Sequence, residues 1–236
     1  MDTGNEEKST YVVAGVKPWN QRVFENKVLQ FPGQWFYVDD PEELTLSWLD
    51  EVVPEYIFFL HWSEIVPEEI LDAHECVCFH MTDVPYGRGG SPLQNLIMRG
   101  HRETKMTALR MVPELDAGPV YMKRVFSLEG STAEEIFLRS SQLSADMIGE
   151  IIEERPEPVP QSGEATTFKR RTPSESRIPN RDSLQALHDF IRMLDAEGYP
   201  EAFIEHEGYR YKFRRSSLYD DRIEASVTIT PIDTDE

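Results

Sequence analysis

The segment that follows the apolar run at 75–79 combines residue types that can move protons and bind anions. His80 comes first, and Asp83, Pro85 and Arg88 follow within eight positions. Histidine titrates near neutral pH, and arginine presents a fixed fork of donors to an anion. Because ligands of parallel α/β sheets collect at the carboxyl ends of strands, we expect a site here. The spacing alone leaves two interpretations open, a functional histidine and a loop histidine beside a turn.

The same stretch contains four residues of types that bind metals. His74, Cys76, Cys78 and His80 alternate along a predicted strand. Alternate residues of a strand lie about 6.6 Å apart, so the four span about 20 Å. A tetrahedral zinc ion needs all its ligands at about 2.0–2.3 Å. The spacing therefore predicts no metal site.

Two other strand ends carry residues that suit a ligand. Lys17, Trp19 and Asn20 follow the first predicted strand, where they could contact a phosphate or a base. The alternative is an ordinary helix start with Pro18 at its first position. The motif G-x-G-x-x-G is absent from this turn, which argues against dinucleotide binding. His61 is the last residue of another predicted strand. It could contact a substrate, and the alternative is a histidine bonded to backbone.

Basic residues are concentrated in one later segment. Lys169, Arg170 and Arg171 form a tight cluster in an acidic chain. Their donors suit a diphosphate, and the alternative is a solvated loop. Arg192 lies off the apolar stripe of its predicted helix, a position that would allow contact with an acceptor substrate.

The composition narrows the class of protein. The chain has 236 residues, 39% of them hydrophobic, which suits one ordinary domain or a domain with a small appendage. Its 24 basic and 43 acidic residues give a net charge of −19, which argues against a nucleic-acid partner. No apolar run reaches the roughly 18–20 residues that cross a bilayer, and the N-terminus lacks the features of a signal peptide. The chain has two cysteines, too few for a disulfide framework, so we expect a protein of the reducing cytoplasm. We expect no membrane partner.

The elements that must position these residues alternate between strands and helices in the first half of the chain. Apolar runs predict strands at 10–16, 35–38, 56–61 and 75–79, with helical patterns between them. This alternation is typical of a parallel, doubly wound sheet. The Pro-rich stretch 155–163 predicts a connector between a catalytic domain at 1–160 and a smaller part at 161–236.

Local signals predict where two helices begin and how the chain continues. Asp40 and Pro41 are typical of the N-cap and first position of a helix. Ser131 and Glu134 predict a capping box for a second helix. Residues 202–231 predict two or three strands of a small antiparallel region.

Two motifs together resemble the family of formyltetrahydrofolate-dependent formyltransferases. H-x-x-x-V-P-x-x-R-G-G-S-P begins at His80, and L-D-A-G-P-V at 115–120 places Asp116 36 positions later. Further similarity at 58–71, 168–178 and 190–203 extends the likeness over about residues 10–205. The resemblance implies an α/β, Rossmann-like formyltransferase domain with a mixed, mostly parallel sheet, plus a small antiparallel C-terminal region.

The resemblance also implies a reaction. Formyl transfer from N10-formyltetrahydrofolate to an amine passes through a tetrahedral oxyanion. His80 would contact the oxyanion and handle protons, while Asp116 would orient the imidazole and accept the proton of the amine. The alternative for Asp116 is a turn-forming residue before Gly118. We predict that the folate contacts Cys78, Asp83, Pro85, Arg88 and Gly89, and that the acceptor contacts Lys17, Trp19, Asn20, His61, Arg171 and Arg192.

One position departs from the family pattern. The family usually has Asn two residues before its His, as a second oxyanion donor, and this chain has Cys78. Alternate side chains of a strand share a face, so Cys78 should point the same way as His80. A thiol is a weak donor, so the second donor is missing or comes from another residue. Asn95, Gln94 and His61 are the alternatives.

Four interpretations of the acceptor remain open. The segments within 168–203 favour a nucleotide-linked 4-amino-4,6-dideoxy sugar of the kind found in surface glycans. Methionyl-tRNA is the alternative, although it calls for an electropositive C-terminal domain. A formyltetrahydrofolate hydrolase or glycinamide-ribonucleotide-type enzyme would share the same two catalytic residues, and a decayed binding module is the fourth. The expected partner is a UDP- or dTDP-amino sugar and no nucleic acid; a homodimer is compatible with the resemblance.

Overall fold

The computed structural model describes residues 9–232. Its strands are β1 (Thr10–Ala14), β2 (Gln34–Val38), β3 (Tyr56–Phe59), β4 (Cys76–His80), β5 (Arg88–Gly89), β6 (Glu103–Arg110), β7 (Val120–Ser127), β8 (Thr167–Phe168), β9 (Ala202–His206), β10 (Tyr209–Leu218) and β11 (Ile223–Pro231). Its α-helices are α1 (Pro18–Asn26), α2 (Leu46–Val52), α3 (Glu68–Ala73), α4 (Pro92–Met98), α5 (Ala133–Glu154) and α6 (Leu184–Arg192). Within this part of the chain, no helix has the length and apolar character needed to span a membrane.

The largest sheet has six strands in the order β2-β1-β3-β4-β6-β7. Its first four members run parallel, whereas β6 is antiparallel to β4. A separate antiparallel sheet is formed by β9, β10 and β11. The predicted architecture, a mostly parallel Rossmann-like sheet and a small antiparallel C-terminal region, is confirmed.

The described residues form two compact units whose segments alternate along the chain. The first unit contains 9–88, 105–125 and 138–166, and the second contains 89–104, 126–137 and 167–232. The sequence predicted a single boundary after residue 160 instead. The stretch predicted as a connector pairs with β7, because Val159 and Val120 exchange backbone hydrogen bonds of 2.8 and 2.9 Å. It therefore belongs to the first unit.

The first unit has an apolar core on its parallel strands. Val12, Ala14, Ile57, Phe59 and Cys76 are buried in one cluster. Full burial of a large apolar side chain contributes roughly 1.5–3 kcal/mol. Parallel strands that are covered on both faces have continuous apolar sequences, which is why these strands were predictable.

Helix α2 begins later than its sequence signal predicted. The carboxylate of Asp40 accepts a hydrogen bond of 2.9 Å from the backbone N–H of Glu42, which closes a local turn. The hydroxyl of Thr45 then accepts from the N–H of Trp48 at 3.3 Å and caps the helix. The prediction that Asp40 and Pro41 open this helix is therefore wrong, because Asp40 bonds to backbone in a turn that precedes the helix.

The cap of α5 lies one residue beyond the predicted capping box. The hydroxyl of Thr132 accepts from the N–H of Glu135 at 3.1 Å, and the Glu135 carboxylate accepts from the N–H of Ser131 at 2.8 Å. Glu134, the predicted partner, instead accepts a hydrogen bond of 3.1 Å from the N–H of Glu197. The cap therefore uses Thr132 and Glu135, while Glu134 contacts a residue distant in sequence.

Candidate active site

Three parallel strands of the first unit end at one edge of the sheet, and each is followed by predicted site residues. Residues 17–20 follow β1, His61 follows β3, and His80 is the last residue of β4. Because these strands run in the same direction, their carboxyl ends lie at the same edge. This edge is the candidate active site.

His80 and Asp116 face each other at this edge. Nδ1 of His80 lies 3.5 Å from Oδ2 of Asp116, and the two side chains are 9% and 11% exposed. A carboxylate in this position favours the ring orientation that points Nδ1–H towards it. The pair can therefore orient an imidazole and stabilise it when it gains a proton.

The backbone of the turn at 116–119 explains how Asp116 is held. Asp116 has a φ of 52°, a left-handed conformation in which Asp is enriched. Gly118 lies against the end of β6, where a Cβ atom would be 1.8 Å from the carbonyl oxygen of Arg110. The carbonyl of Pro119 also accepts from the N–H of Arg110 at 2.9 Å. A side chain at position 118 would displace the turn that carries Asp116.

The second ring nitrogen of His80 has its own acceptor. Nε2 lies 2.8 Å from the carbonyl oxygen of Gly87. A neutral imidazole has one N–H, so it donates either to Gly87 or to Asp116, whereas the protonated ring donates to both. A substrate oxygen that binds the Nε2 proton must therefore take the place of the Gly87 carbonyl.

The loop that carries Gly87 is fastened by two lysines. Nζ of Lys123 donates to Oδ1 of Asp83 at 2.6 Å and to the carbonyl of Val84 at 2.5 Å. Lys105 forms a second ion pair with Asp83 at 3.0 Å. Burial raises the pKa of Asp83, but hydrogen bonds and charges from the two lysines outweigh burial and hold the pKa below its usual value. Asp83 positions the loop in this structure, and its predicted folate contact stays a prediction.

Arg88 and Pro85 are tied to the stretch predicted as a connector. The carbonyl of Pro85, which follows a cis peptide bond, accepts from the N–H of Thr166 at 3.0 Å. Arg88 donates from Nε and Nη2 to Oε1 of Gln161, at 3.1 and 2.9 Å. It also pairs with Glu114 at 3.2 Å. The guanidinium is thus oriented before any ligand binds.

Cys78 does not supply a strong second oxyanion donor. Burial, and to a smaller extent the charge of Asp116, raises the pKa of its thiol, which stays protonated at neutral pH. Of the alternatives, Asn95 and Gln94 use their amide hydrogens within the second unit. Their acceptors are the carbonyls of Gly90, Ser91, Lys169 and Met193. His61 is the remaining alternative.

His61 lies beside Trp19, with the ring centroids 5.6 Å apart. Nζ of Lys17 is 6.0 Å from the centroid of the same indole. Burial, and secondarily the charge of Lys17, lowers the pKa of His61 to about 4. The imidazole is therefore neutral at physiological pH and has one N–H to donate.

Asn20 has a structural role in place of the predicted substrate contact. Its side chain is completely buried, and Nδ2 donates to the carbonyl of Leu60 at 2.7 Å. Oδ1 accepts from the hydroxyl of Ser141 at 2.8 Å. Gly15 makes room for this side chain, since a Cβ there would lie 2.9 Å from that of Asn20. The amide thus connects α1 to the residue that follows β3 and to α5.

Two predicted contact residues lie in the second unit and have clear local environments. Gly89 has a φ of 101°, and a Cβ there would be 2.4 Å from the carbonyl oxygen of Phe168. The close approach of the two backbones therefore requires glycine. Arg171 donates to the carbonyl of Glu175 and lies 5.7 Å from the ring centroid of Phe190. Their predicted ligand contacts remain predictions.

Arg192 is enclosed in the second unit, with 2% of its surface exposed. Its Nε donates to Asp189 at 2.6 Å, and Nη1 donates to the carbonyls of Leu128 and Gly130 at 2.9 and 3.1 Å. The predicted contact with an acceptor is therefore not supported. Arg192 holds α6 to the segment that precedes α5.

The described residues do not assemble a metal centre. Within 9–232, no group of three or more His, Cys, Asp or Glu side chains is arranged to hold an ion. Cys76 and Cys78 are both free thiols, the first in the core and the second half-buried.

Lys123 and Gln161 complete the site, and sequence reasoning missed both. Lys123 bonds to a carbonyl 39 positions away, and Gln161 bonds to an arginine 73 positions away. A lysine on a strand and a glutamine in a Pro-rich stretch are both ordinary surface residues by local pattern. The only local signal was their proximity to the motifs of the resemblance, which does not distinguish them from their neighbours.

Comparisons with known proteins agree on one family. A family model described as methionyl-tRNA formyltransferase, C-terminal domain, matches residues 173–230. A methionyl-tRNA formyltransferase structure from Clostridium thermocellum is 43% identical, with a TM-score of 0.89, over 94% of this chain and 99% of that one. The methionyl-tRNA formyltransferase of Thermus thermophilus is 30% identical over 74% of this chain and 58% of its own length. A sugar N-formyltransferase from Shewanella sp. FDAARGOS_354, 14% identical with a TM-score of 0.67 over 90% of this chain and 99% of that one, shares the fold.

The fold and the relatives with 30% and 43% identity place the protein in one class, the formyltransferases. The chain belongs to the formyltransferase family. The predicted family and enzyme class are confirmed at this level, and N10-formyltetrahydrofolate is the formyl donor of this family. The relatives with 30% and 43% identity are methionyl-tRNA formyltransferases, and the chain spans about 58% of the length of the curated one from Thermus thermophilus.

The predicted acceptor and partner are wrong. The Clostridium relative at 43% identity acts in tRNA formylation by its name, which overturns the nucleotide-linked amino sugar and the exclusion of nucleic acid. The segments at 168–203 that favoured a sugar overlap residues 173–230, which match the methionyl-tRNA formyltransferase model. The net charge led to the wrong exclusion of nucleic acid, because it sums over the whole chain, whereas contacts with phosphates depend on the local charge.

Proposed function

We propose that the chain transfers the formyl group of N10-formyltetrahydrofolate to the amino group of methionyl-tRNA. The observation that carries this proposal is the His80–Asp116 pair, 3.5 Å apart at the carboxyl edge of the sheet. It occurs in a chain that is 43% identical to a methionyl-tRNA formyltransferase structure. Such a pair supplies the acid–base groups that amide formation from an amine requires.

In the proposed mechanism, one C–N bond forms and another breaks. The neutral amine attacks the formyl carbon, and the carbonyl electron pair moves to oxygen. His80 donates a hydrogen bond to this oxyanion in place of the Gly87 carbonyl, and Asp116 accepts the proton that the amine loses. The C=O bond then re-forms and expels N10 of the folate, which takes up a proton from the same pair. An oxyanion donor contributes about 10²–10³ in rate, and a proton carrier about 10²–10⁴.

The proposed folate contacts lie along β4 and the loop that follows it. They are Cys78, Asp83, Pro85, Arg88 and Gly89. Arg88 supports this assignment best, since its guanidinium is held by Gln161 while remaining partly exposed. Lys17, Trp19 and His61 are proposed to contact the acceptor, because they flank the same edge of the sheet.

A local concentration of positive charge supports an RNA acceptor. Residues 168–181 contain five basic residues and one acidic residue, within a chain of net charge −19. Neutralising phosphates requires such a local surplus of Lys and Arg. Arg171 is one of the five, and this partly buried residue has its guanidinium 5.7 Å from the ring centroid of Phe190.

The test is a direct assay of the acceptor. The full chain is incubated with N10-formyltetrahydrofolate and either methionyl-tRNA or a UDP-linked 4-amino sugar, and the mass of each product is measured. We expect one added formyl group on the methionine and none on the sugar. The rate of methionine formylation should fall as the salt concentration increases. Transfer to the sugar without transfer to methionyl-tRNA would contradict the proposal.

A further inference from the structure

Gln161 makes more side-chain hydrogen bonds than its place in a Pro-rich stretch suggests. Its Oε1 accepts from Nε and Nη2 of Arg88 at 3.1 and 2.9 Å. Its Nε2 donates to the carbonyls of Asp116 and Gly118, both at 2.8 Å. These four bonds use both lone pairs of the oxygen and both hydrogens of the nitrogen.

The orientation of this amide is determined by its partners. Arginine cannot accept a hydrogen bond, and a backbone carbonyl cannot donate one. A rotated Gln161 amide would place its N–H groups against the Arg88 guanidinium and its oxygen against two carbonyl oxygens. Only the observed orientation makes all four bonds, so Gln161 joins the Arg88 loop to the Asp116 turn in a specific geometry.

We propose that Gln161 is a positioning residue for formyl transfer, which rests on the function proposed above. Its amide nitrogen donates to the backbone carbonyl of Asp116, and the carboxylate of the same residue lies 3.5 Å from Nδ1 of His80. Its oxygen holds the guanidinium proposed to contact the folate. Gln161 thereby sets the position of the proton acceptor relative to the formyl donor.

The stretch around Gln161 keeps its place by other bonds. Val159 exchanges two backbone hydrogen bonds with Val120, and Thr166 bonds to Pro85 and Gly87. Loss of the Gln161 amide should therefore release the turn and Arg88 without unfolding this stretch. A structural role and a positioning role thus make different predictions.

Two substitutions separate the halves of the amide. Gln161→Glu keeps acceptor oxygens for Arg88 but removes both donors and places a carboxylate against the carbonyls of the turn. Gln161→Leu removes both halves at similar volume. The matched controls are Gln142→Glu and Gln142→Leu, at an exposed position of α5 in the same unit.

Steady-state kinetics give the first measurement. We expect kcat to fall about 10–100-fold in both Gln161 variants, because a misplacement of 1 Å can cost about 10² in rate. The KM for the folate should rise in Gln161→Leu and change less in Gln161→Glu, which retains the partner of Arg88. A kcat within twofold of the parent in both variants, or a fall that only follows the folded fraction, would overturn the proposal.

Amide hydrogen exchange tests the same proposal without turnover. Exchange in the segment 111–120 should be faster in both Gln161 variants and unchanged in the Gln142 controls. Unchanged exchange in the Gln161 variants would overturn the positioning role even if the chain formylates methionyl-tRNA. Failure of the parent protein to formylate any acceptor would instead remove the proposed function, and with it the catalytic part of this inference.

Discussion

The His80–Asp116 site and the sheet of β9, β10 and β11 differ in how their side chains are used. In the first, polar groups are enclosed and bonded to partners from several segments of the first unit. In the second, apolar residues lie at the surface, with Val227 and Ile229 45% and 55% exposed. The enclosed network imposes one geometry on its members, whereas the exposed apolar side chains of the open sheet are arranged by their cross-strand neighbours.

In the open sheet, exposed apolar side chains pack against side chains on the neighbouring strand. Tyr211 lies opposite Ile229, and Phe213 lies opposite Val227, so these four side chains share one face. Cross-strand pairs of this kind contribute about 0.2–1 kcal/mol each. The difference teaches that the side chains of the candidate active site lie where burial and hydrogen bonds restrict their conformations. Substitutions in the two regions should therefore have effects of different size and kind.

The largest effect is expected from His80→Ala. If His80 has its proposed roles, removal of the imidazole takes away the oxyanion donor and the proton carrier, so turnover should fall by about 10²–10⁴. His206→Ala, at an exposed position of β9, is the matched control and should leave turnover unchanged. Formylation is measured with unfolding curves for each variant. Turnover near that of the parent would remove His80 from the mechanism.

The next largest effect is expected from Gly118→Ala, which should lower both the stability of the fold and the activity. Its new Cβ would lie 1.8 Å from the carbonyl oxygen of Arg110, so the turn that holds Asp116 must move. Overpacking of this kind costs roughly 1–3 kcal/mol. A Cβ at Gly208, in the turn between β9 and β10, would meet nothing within 4 Å, so Gly208→Ala should cost only the strain of a φ of 81°. Equal losses of stability in chemical denaturation would contradict the comparison, as would full activity of Gly118→Ala.

Lys123→Met should give a modest loss that depends on pH. The folded-state pKa of Asp83 is depressed, so its ionised form stabilises the fold above the unfolded pKa of about 3.9, and this is lost as pH falls through the folded pKa. Because the Asp83 side chain is 43% exposed, the contribution at pH 7 should be under about 1 kcal/mol. Stability is measured from pH 7 to 3, with Lys212→Met as control. A difference from the parent that does not shrink as the pH falls would contradict this assignment, whereas a constant remainder belongs to the lost bond to the Val84 carbonyl.

The smallest effect is expected from Ile229→Ser. An exposed substitution away from special features usually changes stability by about 0.5 kcal/mol or less. Ile57→Ser, in the core, is the comparison and should cost several times more, because its side chain is fully buried. Thermal unfolding measures both. A large loss for Ile229→Ser would show that this face is covered in solution.

Much of the first unit was predictable because its signals are local. The strands are continuous apolar runs, and His80 comes at the end of one of them. The positions of Asn20 and Arg192 were not predictable, since their burial depends on Leu60, Ser141 and Asp189. Both looked like available polar residues and are enclosed. The acceptor was mispredicted because total charge was weighed above the local surplus at 168–181.

By itself, the sequence determined the sheet, the strand ends that carry His80 and His61, and the two motifs that resemble the formyltransferase family. Alternation and apolar runs act over a few residues, so they are visible in the chain. The resemblance already implied that Asp116 orients His80, and the structure supplies the distance of 3.5 Å. The tertiary structure alone decided that Lys123 fastens the loop and that Gln161 joins Arg88 to the turn. These contacts join residues that are far apart in sequence. They form only where folding brings unpaired donors and acceptors together away from water.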